Sequence, residues 1–241
     1  MVAAAVVAVV IVVAIIVIAG VLHPVAQSTV TTYGTPLLYS QVAGPANSAQ
    51  ATMEDGPWTA VAVLGISTGT SVLSGSASQG LGSGCTPIWS NSSSFVVPAT
   101  PSNATAGKVS TWIVASQNGT GAVLLTFVSS VTDGIVAANV VLMTGSCTST
   151  FREFGVIPGS VIDSSTAVAK ANAAGGSSFL AHYSATTEMI GILGPYWEIL
   201  YSTCSFYSPS GSGTQFADVL YAGNGTTFGD AGTTGVSCAS F

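Results

Sequence analysis

Residues 110–128 read STWIVASQNGTGAVLLTFV. Two apolar, β-branched runs flank Asn118-Gly119, a pair that tolerates the positive φ angles of a tight hairpin turn. The stretch therefore predicts two antiparallel strands. Outward from it, runs at 58–66, 94–98, 135–143, 178–184, 188–193, 196–202 and 216–222 have the same short, Val/Ile/aromatic character. Asp133-Gly134 and Gly194-Pro195 supply further turns. One segment breaks the period: Asp163 can cap a helix over 164–174, which Gly175-Gly176 would end. Strands, one helix, then strands predict an α+β head over 58–241, antiparallel, β-rich and sandwich-like with one packed helix.

Upstream, residues 24–57 read as a polar, Pro-punctuated stalk in which 37–42 and 46–53 could each make two turns of helix. The first 22 residues, MVAAAVVAVVIVVAIIVIAGVL, contain no polar side chain. As a helix they would extend about 33 Å at about 1.5 Å per residue, enough to cross a hydrocarbon core. Gly20, His23 and Pro24 mark the exit. Length and the lack of a basic flank favour a retained helix over a cleaved signal peptide. Residues 1–23 are thus expected to be a transmembrane or filament-core helix, with lipid or neighbouring copies as the partner of residues 2–22.

Composition decides several function classes. The 241 residues carry 9 acidic and 3 basic side chains, a net charge of -6, while 48% are hydrophobic. Lys108, Arg152 and Lys170 are too few and too scattered to neutralise a phosphate backbone, which excludes nucleic acid as a partner. Ser, Thr, Asn, Gln and Gly must wet the surface instead. With so few charges, ion pairs contribute little, and acid is expected to change stability little. An acidic exterior would suit such a chain.

A bare apolar helix leading into a Ser/Thr/Gly-rich, charge-poor head resembles archaeal type IV pilin-like and other N-terminally anchored archaeal surface proteins. The likeness covers about the first 30 residues together with composition. An apolar run beginning at residue 2 is what such a subunit shows once a short basic leader is removed. Bacterial pilins usually carry a Glu where this chain has Ala5, so the resemblance lies with the archaeal branch. It implies a head displayed outside the cell membrane or on an extracellular filament.

Cys85, Cys147, Cys204 and Cys238 form no CxxC pair, and only His23 and His182 could complete a metal site, so neither zinc nor another cofactor is expected. An even count in an exported chain predicts two disulfides; of the possible pairings we take the sequential one, Cys85 with Cys147 and Cys204 with Cys238. Asn91, Asn103, Asn118 and Asn224 begin Asn-x-Ser/Thr patterns in Gly/Ser/Thr-rich stretches and are candidate glycan acceptors. The stretches 113–121 and 219–227 look alike, each a strand entering Asn-Gly-Thr, which we read as shared turn chemistry.

Catalytic signals are sparse. Glu188 and Glu198, on adjacent strands joined at Gly194-Pro195, could face each other as a glycosidase pair does. The default for each carboxylate is the solvent face of a strand. A Ser/His/Asp triad would need His182, and no GxSxG accompanies it. Arg152 and Glu153 are expected in a loop as solvated charges. Among Trp58, Trp89, Trp112, Trp197, Tyr196, Tyr201, Phe206, Tyr207 and Tyr221, most should fill the core, while a minority beside polar loops could meet sugars or another subunit. The expectation is a non-enzymatic, membrane-anchored surface protein with a structural or adhesive head. A pilin-like filament subunit and a secreted carbohydrate-active or carbohydrate-binding domain are the alternatives.

Overall fold

The computed structural model describes residues 23–24, 35–53, 56–67, 73–76, 85–90, 94–97, 104–131, 134–145, 147–204 and 211–238. The apolar segment 1–22 lies outside the described residues, and among those described no helix is long and apolar enough to cross a membrane.

Nine strands form one antiparallel sheet: β1 (Thr59–Ser67), β2 (Cys85–Ser90), β3 (Thr111–Gln117), β4 (Val123–Val131), β5 (Gly134–Gly145), β6 (Thr187–Leu193), β7 (Tyr196–Ser202), β8 (Ser212–Tyr221) and β9 (Thr227–Ser237). Their spatial order is β9-β8-β7-β6-β1-β3-β4-β5-β2. Two runs of sequential hairpins, β3 to β5 and β6 to β9, are therefore joined through β1, which pairs with β6 on one side and β3 on the other. A second, three-stranded sheet contains His23–Pro24, Leu73–Ser76 and Ser94–Val97.

Four α-helices are described: α1 (Ala43–Ala51), α2 (Cys147–Glu153), α3 (Ser164–Ala171) and α4 (Ser177–His182). Helices cover the large sheet where a sandwich would place a second sheet, and there are several rather than one. On one face, Ala46 of α1, Ala167 and Val168 of α3 and Phe179 of α4 pack with Val63, Trp112, Ile190, Ile192, Trp197 and Tyr201 from the strands. On the other, Phe151 of α2 lines a small cavity together with Leu64, Ile113 and Met189. Cover on both faces explains why the central strands are nearly continuous apolar runs instead of alternating ones.

Segment 178–184, expected to be a strand, instead contributes most of α4. Phe179 and Tyr183 alternate as strand residues do, yet they are also four apart, and their rings meet at 5.0 Å. Gly175-Gly176 does not end the helical segment either. A π-helical stretch, Asn172–Gly176, carries the chain on, with Gly175 at φ 144°. Arg152 and Glu153, expected in a loop, end α2, and the Arg152 guanidinium donates to Thr120 O at 3.2 Å.

The stretch expected as a stalk also enters the head. Leu37, Val42 and Ala46 are buried in the core. Trp112 Nε1 donates to Leu37 O at 2.9 Å, and the Tyr39 ring stands edge-on to Trp112 and Trp197. Gln50 bonds Thr126 and Ser116, so a buried amide and two hydroxyls satisfy one another. Burial first, and the nearby Asp163 second, raise the Tyr39 pKa.

Gly65 in β1 is where this core leaves no room. A Cβ there would sit 2.5 Å from Val109 Cγ2 and 3.2 Å from the Trp112 ring. Gly65→Ala is therefore expected to destabilise the protein by about 2 kcal/mol, read as a lower urea midpoint with an unchanged m-value.

Candidate functional site

The β8–β9 hairpin carries a cluster of exposed, recognition-type side chains. Tyr221 N donates to Thr226 O, and Gly225 N to Tyr221 O, closing the turn. Gly225 has φ 68°, and a Cβ there would meet Ile162 and the stem of Lys170 at 2.7 Å. Asn224 Oδ1 accepts from Thr226 N at 2.9 Å, as Asn118 Oδ1 accepts from Thr120 N at 3.1 Å in the β3–β4 turn. The likeness of 113–121 and 219–227 is thus a shared Asx turn.

Tyr221 pairs with Tyr196 of β7, and a register shift between Val219 and Leu220 brings Phe228 of β9 beside both. Ring centroids are 5.2 Å apart for Tyr196–Tyr221, 5.2 Å for Tyr196–Phe228 and 5.6 Å for Tyr221–Phe228. Tyr221 is 40% exposed and Phe228 42%. The three rings form an apolar platform at one end of the sheet, next to the polar turn that carries Asn224. Such a surface suits the C–H face of a sugar or a flat protein surface. Phe228 was missed in the sequence because its strand was not recognised.

Three of the other aromatics singled out fill the interior, while Trp58 is half-buried. Trp112, Trp197 and Tyr201 are fully buried, with Trp197 Nε1 donating to Ile162 O and Tyr201 Oη to Asn172 Oδ1. The Tyr201 pKa is raised by burial first and by Glu188 second, against a lowering hydrogen bond to Asn172. Phe206 and Tyr207 lie outside the described residues, and nothing is described of the Trp89 side chain.

Glu188 and Glu198 do not face each other. In the β6–β7 ladder Glu188 is opposite Tyr201, and Glu198 is opposite Gly191. Opposed residues share a face and neighbours alternate, so Tyr201 and Glu198, three apart on β7, point to opposite sides of the sheet. Nor does Glu198 sit on a solvent face. It is buried and lines an apolar cavity of about 20 Å³ with Leu64, Phe151, Met189 and Leu200. That is room for about one water molecule. Burial pushes its pKa up to about 8, and burial also raises that of the half-buried Glu188.

His182 is exposed at the end of α4, with Nδ1 within 2.7 Å of Ser178 O, a contact within one helical turn. Among the described residues no three His, Cys, Asp or Glu side chains gather as a metal site would require.

Cys204 and Cys238 form a disulfide, as the sequential pairing expects, with Cα atoms 5.3 Å apart. The bridge ties the chain just after β7 to the end of the edge strand β9. For the other expected bridge only the backbone is described: Cys85 opens β2 opposite Gly145, two residues before Cys147, the first residue of α2. Among the candidate acceptors, Asn224 is exposed and Asn118 half-buried, while Asn91 and Asn103 lie outside the described residues. No protein family, no curated protein and no solved structure matches this chain.

Proposed function

We propose that this chain is a non-enzymatic, membrane-anchored cell-surface protein that displays a β-rich head in a structural or adhesive role. The observation that carries the reading is the Cys204–Cys238 disulfide closing the edge of the sheet, a bond that persists in oxidising, extracytoplasmic surroundings. Residues 2–22 supply an apolar segment of spanning length, and the nearly charge-free head suits an exterior that does not rely on ion pairs. The exposed ring platform gives the head a surface for sugars or a neighbouring protein. The separation of Glu188 and Glu198 onto opposite faces removes the motive for a hydrolase reading built on that pair.

A second reading, a pilin-like filament subunit, draws on the uncharged apolar run over residues 2–22, which would bundle in a filament core. Alkaline extraction of native membranes tests the anchor. The intact protein is expected to stay with the membrane until detergent is added. Release of intact protein by alkali alone would refute the anchored form.

A further inference from the structure

We propose that Tyr196, Tyr221 and Phe228 form the seat for the first sugars of an N-linked glycan carried by Asn224. The inference rests on the reading of an exported head and adds a defined modification site and its receptor surface.

Register places the acceptor pattern beside the rings. Tyr221 and Thr226 oppose each other across the hairpin, where Tyr221 N donates to Thr226 O, so their side chains share a face. The extra residue accommodated between Thr227 and Gly229 leaves Phe228 on that face too, 5.6 Å from the Tyr221 ring. Asn224 Oδ1 is held by Thr226 N at 2.9 Å. The bond draws the side chain towards residue 226 and leaves Nδ2 as the amide atom to be modified. Asn224 is exposed, and so are two of the three rings.

The chemistry is balanced without any catalytic group in this chain. A membrane transferase would supply a lipid-phosphate-linked oligosaccharide. The Asn224 Nδ2–C1 bond forms as the bond from C1 to the phosphate oxygen breaks, and one amide proton leaves with the lipid phosphate. The first pyranose can then lay its C–H face, polarised positive, on the electron-rich ring faces. Asn118 has no such freedom. Its Oδ1 accepts from Thr120 N, Thr120 Oγ1 and Ala122 N, and the Arg152 guanidinium lies against Gly121 in the same turn.

The test uses full-length protein purified from a host that exports and N-glycosylates it, in four forms: wild type, Asn224→Gln, Tyr221→Ala/Phe228→Ala, and all three changes together. Mass spectrometry is expected to find a glycan on Asn224. Loss of that glycan should lower Tm by about 3 °C with the rings present and by less than about 1 °C without them. As a measurement independent of any variant, NMR of the wild-type glycoprotein should show protons of the first sugar shifted upfield by ring currents. A bare Asn224 in a chain that is membrane-held and disulfide-bonded would overturn this inference while leaving the surface-protein reading intact. A glycan present with unshifted sugar protons, or with equal stabilisation in both ring backgrounds, would overturn the seat.

Discussion

Acidification should stabilise this protein: its urea midpoint is expected to rise as pH falls from about 8 to about 4.5, the interval between the folded and ordinary pKa of Glu198. Below that interval the carboxyl is protonated in both folded and unfolded chains, and the stability is fully present. As pH rises, the unfolded chain ionises first while the folded chain must keep a proton in an apolar cavity, so stability is lost until the folded pKa is reached. At about 1.4 kcal/mol per pH unit, the loss between pH 4.5 and 7 is about 3 kcal/mol. Apart from Glu198 itself, no ionisable side chain is among the residues lining the cavity to offset it. Glu188, raised by its own burial, acts in the same direction. Glu198→Gln should therefore strengthen the protein at pH 7 and leave only a shallow dependence. A midpoint that falls on acidification, or an unchanged slope in the variant, would contradict the assignment. The burial of Glu198 argues against the expectation of acid indifference, because composition counts carboxylates but not their burial.

The second large effect concerns the edge of the sheet. Replacing Cys204 and Cys238 by Ala is expected to cost about 4 kcal/mol, from the entropy returned to an unfolded chain no longer closed across a separation of 34 residues. That corresponds to roughly 10 °C in Tm for a chain of this size. Reductant should reproduce the loss, and added salt should not. The bridge fits closely: a Cβ at Gly213 would lie 2.6 Å from Cys204 Sγ. A fall of less than about 1 °C on reduction, verified by thiol counting, would show that β9 holds without it.

Much of the sheet was legible because its strands are short, apolar and punctuated. Asn118-Gly119 and Gly194-Pro195 sit at hairpin turns where expected, and β3, β4, β6 and β7 lie within a few residues of their predicted runs. The edge strand β9, TFGDAGTTGVS, offered no such pattern. It holds three glycines and is fixed by its ladder to β8 and by Cys238, both long-range facts. The α3–α4 junction failed for a related reason. Gly176 is there because a Cβ would come within 2.9 Å of the Tyr201 ring and 2.8 Å of Asn172 Oδ1, not because a helix ends. The mismatch of Glu188 and Glu198 is legible in the sequence. Once Leu193 and Tyr196 flank a two-residue turn, parity alone puts the two carboxylates on opposite faces. The ring platform was half visible: Tyr196 and Tyr221 stood beside a polar turn, but only the register shift near Val219 brings in Phe228.

The surroundings of the apolar segment test the central claim most directly. A photoreactive amino acid placed at Val12 in cells, followed by illumination and mass spectrometry of the intact protein, reports what touches the middle of that segment. A membrane anchor predicts adducts to lipid acyl chains. Cross-links confined to a second copy of residues 2–22, or to no lipid at all, would contradict the anchor, and the former would place the chain in a filament core.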